Sequence, residues 1–124
     1  MKILVHLTPD VIQVPPHHPD PSSGAVVTFN GVVRNHEGTE NVISLFYEIY
    51  QPMAQKMIAE ILQDLSMQYP CHSAEVIHRF GHIPAGETSL WIRVLAQHRA
   101  EAFQLLTHLI DRLKKDVPIW KTQP

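Results

Sequence analysis

Three groups of polar residues in this chain have the types and positions that chemistry needs. The first is Arg34-Asn35-His36, directly past an apolar run that ends at Val33. An arginine there either projects a fork of donors suited to a phosphate or carboxylate, or sits in a solvated turn. The second is Gln97-His98-Arg99, between an apolar run and a helical pattern. A helix start offers free N–H groups and a positive dipole end, which favour a bound anion. A cation at that end is unfavourable with no anion bound, so Arg99 argues for one. The third is Lys114 and Lys121, with Lys115 and Val117-Pro118-Ile119-Trp120 between them. Pro118 breaks the helix, so the two do not share a helical face. The chain can instead fold back and bring both ammonium groups to one pocket with Trp120 beneath. A lysine crowded by cations and partly desolvated becomes a nucleophile or base; the alternative is that these residues only complement a helix C-terminus.

Other residues carry less. Cys71 follows a proline and has no Arg or Lys beside it, so nothing supports a reactive thiolate. Glu48 and Glu87 are lone carboxylates. Nine histidines are scattered with no HxxxH or HExxH pair on a helix, which gives no metal site. Trp91 and Phe46 fit core or interface, and Met53, Met57 and Met67 fit helix packing.

The elements that must position these groups are legible from periodicity. Strands are expected over 2–7, 24–33 and 42–50, the last with Ile43, Leu45, Tyr47 and Ile49 on its buried side. Pro52 opens a helix whose apolar face holds Met53, Ala54, Met57, Ile58, Ile61, Leu62 and Leu65. Strands follow over 74–80 and 88–96, with a turn at 81–86. A last helix runs from about Arg99 to Lys115, with Phe103, Leu106, Ile110 and Leu113 on one face. Residues 8–23, with Pro9, Pro15, Pro16, Pro19 and Pro21, form an irregular proline-rich arm in which His17 and His18 are solvated. The order β, β, β, α, β, β, α describes an α+β domain, an antiparallel or mixed sheet covered by helices on one side. There is no glycine-rich phosphate loop, so nucleotide cofactors of that kind are not expected.

Composition narrows the classes further. The 124 residues make one domain, spanning 1–124, and 44% are hydrophobic, too many for a disordered chain. Ten Lys and Arg against twelve Asp and Glu leave a net charge of −2, which argues against a nucleic-acid binder. One cysteine excludes an internal disulfide and a multi-cysteine zinc site. No apolar run nears the ~20 residues that cross a bilayer. MKILVHLTPD lacks the features of a signal peptide, so a soluble cytoplasmic protein is expected.

Five ordered blocks, GAVVTFNGVVRNHE at 24–37, LFYEIYQPMAQKMIAEIL at 45–62, VIHRFGHIPAGE at 76–87, AQHRAEAF at 96–103 and LKKDVPIWK at 113–121, resemble the large subunit of molybdopterin synthase. The resemblance implies an α/β hammerhead fold with an additional antiparallel sheet. It implies a homodimer of large subunits, each carrying a small ubiquitin-like sulfur-carrier subunit. The carrier's C-terminal Gly-Gly tail, as a thiocarboxylate, would enter a pocket and pass sulfur in two rounds to cyclic pyranopterin monophosphate, giving the dithiolene of molybdopterin. No metal, nucleotide or other cofactor is implied. By the same resemblance Lys114 and Lys121 are the catalytic lysines. Val32, Val33, Arg34, His98, Arg99, Lys114, Lys121, Thr122 and Gln123 hold the substrate. A cyclic phosphate and an anionic tail suit a pocket of Arg, His and Lys.

The chain departs from the family in two places. Val32 stands where a lysine is common. The family's segment beyond the WK pair is expected to be missing, the sequence reading Trp120-Lys121-Thr122-Gln123-Pro124 at that point. The competing expectation is a non-catalytic relative that binds the carrier or a pterin as scaffold or regulator. Against it stand five retained pocket cations, which would cost stability by mutual repulsion. A histidine-rich metal handler fails on spacing.

Overall fold

In the computed structural model, which describes residues 1–123, the apolar runs become two sheets and two long helices. The elements are β1 (Lys2–Thr8), β2 (Ala25–Val32), β3 (His36–Glu37), β4 (Glu40–Asn41), β5 (Ser44–Ile49), α1 (Gln51–Gln68), β6 (Ser73–Arg79), β7 (Gly81–Pro84), β8 (Thr88–Ala96), α2 (Arg99–Asp116) and β9 (Ile119–Thr122). The larger sheet has the order β1-β6-β8-β2. Its β1–β6 pair is parallel and the other pairs are antiparallel, so the sheet is mixed, as the element order implied. Ala74 and Val76 of β6, with Ile92 and Val94 of β8, turn to one face. There they join Ile58 and Leu62 of α1 and Leu105 and Leu109 of α2 in the main core. The smaller sheet has the order β7-β5-β9 and closes over Val33, Val42, Leu45 and Ile83. The α+β expectation, with its additional antiparallel sheet, holds.

Several local expectations are corrected. Residues 81–86 are not simply a turn: Gly81–Pro84 is a strand against β5, flanked by Gly81 and Gly86 at φ 85° and 91°. The chain after Pro118 forms β9 on the other edge of β5. A two-residue hairpin, β3–β4, fills the connection after Arg34. Ile43 is 87% exposed while Val42 is buried, because β5 begins only at Ser44 and the alternation does not extend back to 42–43. On α2 the buried stripe is Ala102, Leu105, Leu106, Leu109 and Leu113, leaving Phe103 53% exposed. The small Ala102 lets that turn sit close against the sheet, and Phe103 lies about 100° round the helix from it. Met53 is exposed for the same reason: Ala54 takes the inward position at the start of α1.

The proline-rich arm forms no helix or strand between Thr8 and Ala25, as expected, but it is not a free tail. Arg93 of β8 donates from its two terminal nitrogens to the carbonyls of Pro15 and Pro16, at 3.1 and 3.2 Å. The arm therefore lies over the sheet face opposite the helices. Its far end is held where Ser23 Oγ meets His72 Nδ1 at 2.6 Å. Gly24 then enters β2 beside the backbone of Gln97, where a Cβ would come to 2.5 Å from the carbonyl oxygen. Cys71 is buried, its Sγ 3.6 Å from the Glu101 carbonyl, and desolvation pushes its thiol up to about 11, so it is no nucleophile. Among the described residues no helix is long and apolar enough to cross a membrane.

Candidate functional site

Two of the three polar groups meet. Arg34 lies two residues past β2, Lys114 in the last turn of α2, and Lys121 in the middle of β9. All three line one cavity of about 500 Å³ between the end of the larger sheet, the smaller sheet and α2. The fold-back around Pro118 makes this happen. It turns the chain out of α2 into β9, whose register sets Lys121 opposite Tyr47. Phe29, Leu90, Ile110 and Leu113 form the apolar walls, and Tyr47 and His78 contribute polar edges. A cavity with apolar walls and convergent cations is suited to a small anionic ligand.

The electrostatics contain a residue the sequence reading passed over. Glu37 of β3 reaches back so that one carboxylate oxygen is 3.4 Å from Lys121 Nζ and the other 3.8 Å from the Arg34 guanidinium. It holds the two cations together and takes up part of the charge that a ligand would meet. Its only sequence signal was an acid three positions beyond the candidate arginine, which by itself reads as an ordinary turn pair. Substituting Glu37→Gln is expected to tighten binding of inorganic phosphate to the pocket by up to about fivefold, measured by calorimetry. Unchanged or weaker binding would show that the carboxylate does not compete for these cations.

The remaining candidates fall in different places. Val32 lines the cavity, half exposed. Val33 does not: it is buried under the smaller sheet, its N–H donates to the Glu87 carbonyl at 3.0 Å and its carbonyl accepts from Gly86 N at 2.8 Å. Thr122 pairs with Phe46 and lies outside the cavity wall. Gln123 donates through Nε2 to the Asn41 carbonyl, 3.0 Å away, and so ties β9 to the hairpin. Trp120 is 56% exposed and does not lie beneath the lysines, because the residues of β9 alternate and Lys121 takes the inward side. Lys114 and Lys121 are themselves exposed in the isolated chain, so any desolvation must come from what docks there.

His98 and Arg99 are not at this pocket. They stand at the opposite end of α2, 15 residues from Lys114, or about 22 Å along the axis. The anion argued for at that helix start is supplied by the chain. Glu101 accepts the His98 backbone N–H at 2.6 Å, and its carboxylate lies 3.6 Å from His98 Nδ1. Sequence reading saw the cations but not the acid three residues on.

Known proteins share this fold. A curated relative from Thermoplasma volcanium, a molybdopterin synthase catalytic subunit, is 41% identical over 101 residues, covering 82% of this chain and 74% of its own length. The human protein of the same description is 40% identical over 103 residues, 83% of this chain, which spans only 55% of that relative. The crystal structure of molybdopterin synthase from Staphylococcus aureus superposes with a TM-score of 0.86 at 30% identity, covering 99% of this chain and 89% of that one. A protein in a complex of subunits 1 and 2 of molybdopterin-converting factor from Helicobacter pylori shares the fold, with a TM-score of 0.72 at 18% identity, over 98% of this chain and 83% of that one. The sequence pattern described as MoaE protein matches residues 7–116, which hold every element from β2 to α2, and the chain belongs to that family.

Proposed function

We propose that this chain is the catalytic subunit of a molybdopterin synthase. It takes sulfur from the thiocarboxylated Gly-Gly tail of a small ubiquitin-like carrier and passes it to cyclic pyranopterin monophosphate, building the dithiolene of molybdopterin. The observation that carries this reading is the convergence of Arg34, Lys114 and Lys121 from three separate elements on one cavity. Arg34 and Lys121 offer the phosphate charge-assisted hydrogen bonds, and Lys114 stands at the end of α2 to meet the carrier's acyl group. Both lysines open to solvent because the tail is the missing wall. Its docking expels water and strengthens each charge interaction inside.

A second protein is part of the reading, and the Helicobacter pylori complex of two subunits supports it. So is a second copy of this chain. The length of α2 keeps His98 and Arg99 away from their own Lys114, so a pterin-binding role for that pair requires the cavity of a neighbouring copy. We place the assembly in the cytoplasm, with no resident cofactor. The test is reconstitution of the purified chain with thiocarboxylated carrier and cyclic pyranopterin monophosphate, scored for molybdopterin by its fluorescent oxidation product. Product formation supports the enzyme; carrier binding with no product moves the chain to the scaffold reading.

A further inference from the structure

His78 stands in the wall of the cavity and has no part in the functions above. It is near the end of β6, on the same side of the strand as Ala74 and Val76, and only 6% exposed. Its Nδ1 lies 2.8 Å from the carbonyl oxygen of Arg79. A carbonyl only accepts, so Nδ1 carries the proton and the neutral ring keeps its lone pair on Nε2. Burial holds this imidazole below its ordinary range, outweighing the opposite pull of the Arg79 carbonyl. The ring is therefore a neutral base of fixed tautomer at neutral pH.

Its surroundings make that property singular. From the segment after β2 comes Arg34, from α2 Lys114 and from β9 Lys121, all cations that donate hydrogen bonds. From β5 comes Tyr47, a phenol whose ring centre is 5.4 Å away. Beside it on β6, Arg79 turns to the other side of the sheet and pairs with Glu87 at 2.7 Å. The nearest acid at the cavity's cations, Glu37, is held by Arg34 and Lys121. Among the described residues lining the cavity, His78 is the one with a lone pair suited to take a proton.

Resting on the function proposed above, the reaction needs such a group. When the carrier's thiocarboxylate sulfur bonds to a substrate carbon and a substrate oxygen leaves, carrier and substrate are joined as a thioester. Freeing the sulfur requires water. The water oxygen bonds to the acyl carbon, the carbon–sulfur bond breaks with its electron pair left on sulfur, and the carrier departs as a carboxylate. Thioester and water thus give carboxylate, thiolate and two protons, the first of them released as water attacks inside the cavity. We propose that His78 is the acceptor of that proton, with Nε2 as the general base for the water that releases sulfur from the carrier. Lys114 and Lys121 donate to the oxyanion of the same step.

The decisive variant is His78→Asn, whose amide N–H can still donate to the Arg79 carbonyl while the base is gone. Single turnovers with thiocarboxylated carrier and cyclic pyranopterin monophosphate are followed across acid to neutral pH. The acyl-linked species is read by mass spectrometry. Wild type is expected to lose rate as pH falls and His78 takes a proton. The variant is expected to be about 100-fold slower, to lose that acid limb, to accumulate the acyl-linked species, and to bind carrier as wild type does. An unchanged rate, or a slower rate with the acid limb kept, overturns the inference and leaves the function reading standing. A wild-type chain that makes no product removes both. If His78→Asn does not fold, nitrogen NMR of the wild-type imidazole decides. A proton on Nε2, or a titration midpoint apart from the acid limb, overturns the assignment.

Discussion

Replacing Lys114 with alanine should lower product formation by about a thousandfold or more while leaving the fold intact. The two halves of that expectation have separate causes. Lys114 lies in the last turn of α2 with its side chain exposed, and the burial of α2 is carried by Ala102, Leu105, Leu106, Leu109 and Leu113. Removing an exposed side chain beside that stripe moves stability by about 0.5 kcal/mol or less. In the cavity the same ammonium group is one of three cations, and the one placed where α2 ends against the fold-back. If it forms a bond to the carrier's acyl carbon or holds the developing oxyanion, no neighbour replaces it. Lys114→Arg separates these roles, since it keeps the charge and loses the compact amine. Appreciable turnover in the arginine variant assigns Lys114 to electrostatics, and background turnover assigns it to bond formation. Wild-type turnover in Lys114→Ala, with carrier saturating and the fold verified by circular dichroism, would take the residue out of the mechanism.

How much of this was legible in the sequence depended on the range over which each feature is decided. α1, α2, β2, β6 and β8 were visible because each is long enough for its own period to show, and Pro52 and Pro118 marked an end. β7 and β9 were not. Gly81–Pro84 carries the composition of a turn, and Ile119–Thr122 has four residues; both become strands only because β5 lies between them with free edges on either side. The same non-local pairing assembled the site. Arg34, Lys114 and Lys121 could each be named, yet that they share a cavity follows from where β9 docks. Residue type misled where a small side chain decided the packing: Phe103 outranked Ala102 by hydrophobicity, and the sheet selected Ala102. His78 gave almost no signal, because one histidine in an apolar strand looks like a satisfied core residue until the cavity beside it is seen.

The proline-rich arm, irregular as expected but with a seat on the sheet that no sequence signal showed, leads to the largest expected effect on stability. Arg93 is 5% exposed and uses every face of its guanidinium. Nε and one terminal nitrogen grip the two oxygens of Glu75 at 2.8 and 3.1 Å, the terminal nitrogens also donate to the Pro15 and Pro16 carbonyls, and the plane lies 5.0 Å from the Trp91 ring centre. The arm has few internal partners, as expected of a proline-rich stretch, so the two donations from this Glu75-anchored guanidinium lay its middle on the sheet, while Ser23 and His72 hold its far end. Arg93→Ala removes the cation and leaves the Glu75 carboxylate, itself mostly covered, without its partner. Breaking one side of such a pair costs about 3–5 kcal/mol, a large share of what holds a domain of this size together. Urea denaturation should show that loss, and thermolysin should cut ahead of Val11, Ile12 or Val14 once the arm lifts away. The double variant Arg93→Met, Glu75→Leu removes both charges together and should recover much of the stability, because no buried charge is left unpaired, while the arm stays cleavable because nothing donates to its carbonyls. A single variant that loses less than about 1 kcal/mol, with the arm still protected, would mean that apolar contact with the sheet alone seats the arm.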